Sequence, residues 1–226
     1  MARKAKPSPP GFFRRNGLTV VLMSFALVSI LGQAYFGYAV ERNQQRQHGE
    51  PPPTASEYLG SGPFLSAVFE NWESEFLQMG LFVLLTVSLR QQGSSESRPL
   101  DPAKESPEPK VPKAEQPWPM RVGGIWEKLY AHSLSSALLI LFCLSFALHW
   151  YYSWQSHVAE QLEHGGRATT AFDHLTQAQF WFESFQNWQS EFLSVAVLCV
   201  LSIWLREKDS PQSKKLRARY TDTGAD

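Results

Sequence analysis

A nine-residue block occurs twice in this chain, 116 residues apart: Phe69-Glu-Asn-Trp-Glu-Ser-Glu-Phe-Leu77 returns as Phe185-Gln-Asn-Trp-Gln-Ser-Glu-Phe-Leu193. Aligned without a gap, residues 16–94 match 132–210 at 22 of 79 positions. Self-similarity at a fixed offset constrains the architecture more than any short motif, because one supersecondary unit has to serve twice. It names no chemistry by itself.

Each copy holds two apolar segments. Residues 18–32 include only Thr19, Ser24 and Ser29 as polar members, and 35–40 extend them; residues 76–89 include only Gln78, Thr86 and Ser88. Residues 134–148 and 192–205 carry no charge. With its flanks, each segment reaches the roughly 20 residues that cross a hydrocarbon core of about 30 Å. Within lipid the backbone must satisfy its own hydrogen bonds, so four helices are the expected form. The zero net charge and mean hydropathy of −0.26 look soluble only because polar tails and a linker dilute these segments. A soluble helix of this length would carry a polar stripe. A cleaved signal peptide is disfavoured for the first segment, because its counterpart in the second copy lies mid-chain.

Basic residues give the orientation. Arg3, Lys4, Lys6, Arg14 and Arg15 precede the first segment; Arg90, Arg98, Lys104, Lys110, Lys113, Arg121 and Lys128 lie between the copies; Arg206, Lys208, Lys214, Lys215, Arg217 and Arg219 follow the last. The two remaining loops carry only Arg42 and Arg46 in one and Arg167 in the other. Tails and linker are expected in the cytoplasm, with both short loops outside. The fold class that follows is an all-α membrane protein: four transmembrane helices arranged as two tandem, parallel-repeat helical hairpins. The expected organisation is a basic tail (1–15), a first hairpin (16–94), a Pro-rich charged linker (95–121), a second hairpin (122–210) and a disordered tail (211–226). In the outer loops, Thr54 with Glu57 and Thr170 with Asp173 have the spacing of a reciprocal cap, which predicts short helices near 54–60 and 170–177. Gly49 and Gly165 follow helix ends. His48 and His164 beside them read as caps on carbonyls.

The chemistry-bearing candidates sit in the repeated block. Asn71, Ser74 and Glu75, and again Asn187, Ser190 and Glu191, are spaced i, i+3, i+4 on one helical face. Trp72 and Trp188 stand beside them, at the depth of an outer aromatic belt. Fifteen residues, about 22 Å of helix, separate Glu75 from Arg90 and Glu191 from Arg206. The same spacing separates Leu18 from Gln33 and Leu134 from His149. Gln33, Glu75, His149 and Glu191 are therefore expected to form one polar layer, with Gln33 meeting Glu75 and His149 meeting Glu191. A carboxylate at that depth needs partners or must face the bundle interior. Glu70 and Glu73 are replaced by Gln186 and Gln189 in the second copy, so a site using either acid would exist only once.

No catalytic residue, cofactor or metal site is expected. There is no nucleophile–base pair, metal-ligand spacing or phosphate loop. Cys143 and Cys199 fall inside apolar segments and read as small packing residues. His132 and His149 are seventeen residues apart on one helix, about 25 Å, and cannot share a haem iron.

Arg15-Asn-Gly-Leu18, Gly32-Gln33, His48-Gly49, the run at 69–79 and Leu89-Arg-Gln resemble a family of small bacterial four-helix membrane proteins described by a domain of unknown function. The resemblance covers roughly residues 12–210. It implies a bacterial cytoplasmic membrane location and an all-helical fold, and it assigns no activity to any residue. The leading functional expectation is a non-enzymatic integral membrane protein with a structural, stress-related or partner-binding role. The alternative is a small oligomeric transporter of protons, ions or solutes that uses the Glu75/Glu191 layer. The expected partners are the lipid bilayer and either a second copy or another membrane protein, not nucleic acid.

Overall fold

The computed structural model describes residues 11–224, and among these it contains helices and no strand. Helix α1 (Phe12–His48) is followed by the short α2 (Ala55–Leu59) and by α3 (Gly62–Ser88). Beyond the linker come α4 (Trp118–Val122), α5 (Ile125–Ala131), α6 (Ser133–Glu163), α7 (Ala171–His174) and α8 (Ala178–Trp204). Two of them, α1 and α6, are long and apolar enough to cross a membrane. Helices α3 and α8 have 27 residues each, roughly 40 Å of helix. Glu70, Glu73 and Glu75 in α3 and Glu183 and Glu191 in α8 make their outer halves more polar.

The element ends follow from local chemistry. Gly49 closes α1 with φ 76°, a conformation that costs a side-chain-bearing residue. Both outer loops form complete capping boxes: the Thr54 and Thr170 hydroxyls accept from the Glu57 and Asp173 backbone N–H groups, and each acid accepts from the threonine backbone. The Thr54 backbone N–H and hydroxyl together hold the Glu57 carboxyl below its ordinary value. Ser61 caps α3, with Pro63 in its first turn. At the inner ends Arg90 and Arg206 act alike. Each guanidinium donates to the last carbonyls of its helix: Thr86, Val87 and Leu89 for Arg90, and Ser202, Ile203 and Leu205 for Arg206.

The body of the molecule is α3 packed along α6, with α8 against α3 and reaching α6 through Phe180 and Glu183. Small residues allow that approach. A Cβ at Gly62 would lie 2.9 Å from the Ser156 amide nitrogen and 3.0 Å from the Tyr152 carbonyl oxygen. A Cβ at Gly80 would lie in ordinary contact, 3.5 Å from Leu138 and Leu139 of α6. Buried serines at 66, 74, 135, 145 and 153 add small side chains on α3 and α6, a composition that lets helix backbones approach closely. Helix α1 joins only through its outer half. Ala34 and Tyr38 pack on Tyr58, Phe64 and Val68, and Gly37 makes room for the Tyr58 ring. Its inner half, including Leu18, Leu22, Phe25 and Val28, is exposed.

The inner end differs from the expectation of a disordered tail. Residues 211–224 fold back onto the segment after α3. Ser94 and Ser202 share a hydroxyl hydrogen bond of 3.1 Å, the Gly93 N–H donates to Thr223, and the Ser95 hydroxyl donates to the Gln212 carbonyl. Lys214 is buried, and its ammonium donates to the carbonyls of Arg219, Tyr220 and Asp222. Burial and the nearby Arg206 pull that ammonium below its ordinary pKa. A polar composition conceals such order because the stabilising acceptors are backbone groups, which every sequence has.

Candidate functional site

Where α3, α6 and α8 meet, four ionisable side chains converge, His149 and Glu73 fully buried and Glu70 and Glu183 half-buried. The serines at 145 and 153 and His149 lie on one face of α6, spaced i, i+4, i+8, and all three are buried. From α3, Glu73 turns into the seam. His149 and Glu73 are both 0% exposed, with Nδ1 and Oε2 2.9 Å apart. An ionised carboxylate only accepts, so the imidazole donates from Nδ1. The other oxygen of Glu73 accepts from the Trp188 indole N–H of α8 at 3.1 Å.

Glu183 approaches the opposite edge of the ring from α8. Its Oε2 lies 3.8 Å from His149 Nε2, too far for a hydrogen bond. His149 Nε2 is buried and has no hydrogen-bond partner among the described residues. Gln179 donates to Glu183 Oε1 at 2.7 Å, and the Ser153 hydroxyl lies 3.4 Å from Oε2. Glu70, one turn before Glu73, completes the group and accepts from the Asn187 side-chain amide. Phe180 is 0% exposed and stacks on the imidazole with centroids 4.9 Å apart, sealing the centre. The polar network continues outward: Ser153 Oγ lies 3.0 Å from His174 Nε2 in α7, and His174 Nδ1 lies 3.3 Å from Gln177 Oε1. Burial holds the His174 imidazole below its ordinary pKa, and nearby His157 acts in the same direction.

The expected polar layer is therefore corrected in its pairings. His149 is at its core but meets Glu73 and Glu183, not Glu191. Glu75 lies beside Glu191, away from the histidine; Glu75 is exposed and Glu191 half-buried. Gln33 is half-buried on α1 and is not among the residues gathered at His149. The reason is azimuth. Two residues along a helix turn it by about 200°, so a helix that aims Glu73 at α6 aims Glu75 elsewhere.

The repeated motif divides in the same way. In α8, Asn187 and Trp188 reach Glu70 and Glu73, and Ser190 donates to the Asn187 carbonyl. In α3, Asn71 donates to the Ala67 carbonyl, the buried Ser74 donates to the Asn71 carbonyl, and Trp72 is exposed. In the sequence Glu70 and Glu73 are marked only as acids that occur in one copy and Glu183 has no acidic counterpart, whereas the shared spacing points to Glu75 and Glu191. His164 is placed as expected, with Nδ1 2.8 Å from the Glu160 carbonyl, and both cysteines are free.

A family profile described as "Domain of unknown function (DUF6766)" matches residues 10–225. No curated protein and no solved structure matches the chain.

Proposed function

The chain belongs to this family, and we propose that it is a multi-pass protein of a bacterial cytoplasmic membrane that binds a proton or cation at the Glu70–Glu73–His149–Glu183 centre and passes it between helices. In this reading α1, α3, α6 and α8 all cross the bilayer as two parallel hairpins. Both termini and the linker are cytoplasmic, and no bond-making chemistry is required. The membrane assignment draws on the apolarity of α1 and α6, on the apolar inner halves of α3 and α8, and on the concentration of Lys and Arg at one end.

The observation that carries the function is the charge balance of the centre. Three carboxylates surround one histidine, and none of the three pairs with a lysine or arginine among the described residues. Unpaired carboxylates within a membrane are costly and mark ion or proton pathways. Ser153 and His174 supply polar steps from the centre toward the outer loops. On the inner side a groove of about 400 Å³ is lined by Gln78, Phe82, Leu85, Phe192, Val195 and Cys199.

The test is flux. Full-length protein in proteoliposomes is expected to carry protons or a divalent cation, and the His149→Gln variant to lose that flux while keeping its helical circular dichroism. Equal flux in protein-free liposomes and in both proteins rejects the reading. A second reading, a partner-binding membrane component, is favoured by the exposed apolar inner half of α1, a surface suited to a second copy or another membrane helix. Cross-linking from cysteines placed at Leu22 and Val28 checks it.

A further inference from the structure

We infer that the centre is a metal site: His149 Nε2, Glu70 and Glu183 hold a first-row divalent cation of the Zn²⁺, Fe²⁺ or Mn²⁺ class, and Glu73 orients the histidine from behind. The inference deepens the ion-handling reading and rests on it for function, not for geometry.

The tautomer comes first. Nδ1 donates to Glu73, so once a metal ion displaces any proton on Nε2 the ring presents that nitrogen's lone pair. That lone pair is buried and unpartnered, and it faces the Glu183 carboxylate across 3.8 Å. Lone pair against carboxylate is repulsive unless a positive centre, a proton on Nε2 or a metal ion, lies between them, and at 3.8 Å a proton alone completes no hydrogen bond there. The gap suits one: metal–ligand bonds of about 2.0–2.2 Å let two ligands of one ion stand up to roughly 4 Å apart. One ligand atom each from Glu70, His149 and Glu183 lies within 4.8 Å of the others, so small side-chain rotations close the set. One imidazole with two carboxylates is a donor set of intermediate hardness, suited to first-row divalent ions.

The supporting shell is that of a metal centre. A ligating histidine commonly donates its far N–H to a carboxylate, which fixes the ring and raises its basicity. Glu73 does this, and the Trp188 indole holds Glu73 in turn. Asn187 holds Glu70 and Gln179 holds Glu183. Phe180 covers the ring. Glu183 is 28% exposed and forms the side open to an entering ion. A divalent cation also offsets the excess negative charge that the seam otherwise carries.

The experiment uses full-length protein in nanodiscs, stripped with chelator and titrated with Co²⁺, whose visible bands report inner-sphere nitrogen and oxygen ligands, with Zn²⁺ as competitor. The expected result is one Co²⁺ per chain, displaced by Zn²⁺. His149→Gln and Glu183→Gln each weaken binding at least a hundredfold. Glu73→Gln weakens it by about 10–100-fold with the bands retained, and Glu75→Gln leaves it unchanged. Wild-type binding no tighter than that of His149→Gln, or binding lost equally in Glu75→Gln, overturns the site. If His149→Gln misfolds, Glu183→Asp decides: a retained but shifted spectrum supports ligation, and an unchanged spectrum overturns it. The two readings fail separately. Co²⁺ binding without flux keeps the metal site and removes transport, whereas proton flux without Co²⁺ binding does the reverse.

Discussion

In the first hairpin Tyr58, Phe64 and Val68 pack with Ala34 and Tyr38 into an aromatic cluster. At the corresponding positions of the second stand His174, Phe180, Ser184, Trp150 and Trp154. One outer end is closed by apolar packing, the other by a hydrogen-bonded network that reaches the buried centre. Every ionisable member of that centre has an uncharged counterpart: His149 answers to Gln33, Glu183 to Ala67, Glu70 to Gln186 and Glu73 to Gln189. What the copies share is the frame, meaning the capping boxes, the glycine stops and the arginine clamps. What they do not share is the chemistry. Two segments alike at 22 of 79 aligned positions thus keep similar caps and helix ends while only one arrangement of acids and histidine forms the centre.

The largest effect separates Glu73 from its counterpart. Glu73→Ala leaves the His149 and Trp188 N–H groups unpaired and is expected to cost about 3–5 kcal/mol, read as a large drop in the thermal midpoint in detergent. Gln189→Ala, at an exposed position, is expected to stay within about 0.5 kcal/mol. Equal losses at the two positions would break the comparison.

The close approach of α3 and α6 is the next lever. Gly62→Val drives side-chain atoms into the Ser156 and Tyr152 backbone and is expected to cost about 1–3 kcal/mol. Its counterpart Ala178 already carries a Cβ, so Ala178→Val should cost less by the same thermal assay. Smaller still are the caps. Thr54→Ala and Thr170→Ala should each cost about 1 kcal/mol, measured by amide exchange of the α2 and α7 N–H groups. Near-equality is the outcome that identifies the capping boxes as part of the shared frame.

The smallest effect is pH dependence from His174, whose counterpart Tyr58 does not titrate in the neutral range. Because the folded-state pKa of His174 is lowered, the unfolded chain binds more protons between the two pKa values, and stability rises with pH there. The contribution is fully present above the unfolded value of about 6.5 and is lost as pH falls toward the folded value. The wild-type midpoint should therefore drop between pH 7.5 and 5 by more than that of His174→Gln. A larger drop in the variant would reverse the sign and contradict the assigned burial.

Much of the fold was legible because its signals are local. Apolar length located the long helices but not all of their ends, since a helix expected over 122–163 starts at Ser133 after two separate short ones, and Thr-x-x-Glu and Thr-x-x-Asp located the short helices of the connecting loops. Depth was legible too: counting fifteen residues from Arg90 or Leu134 put a carboxylate and His149 at one level. Rotation was not. Glu73 and Glu75 differ by only about 3 Å in depth but point to opposite sides of α3. Which side meets α6 is set by the approach at Gly62 and Gly80, a tertiary fact with no periodic signature. Glu183 stood one turn into α8 with no counterpart to recommend it. The clue present in the sequence was the divergence itself, acids at 70, 73 and 183 facing amides or alanine in the other copy.

The most direct measurement compares proton and divalent-cation flux in proteoliposomes for two double variants, Glu73→Gln/Glu183→Gln and Glu75→Gln/Glu191→Gln, each checked for native helical content. If the function sits where the copies diverge, the first loses flux and the second keeps it near the wild-type rate. Flux lost in the second and kept in the first would return the chemistry to the repeated glutamates and contradict the account.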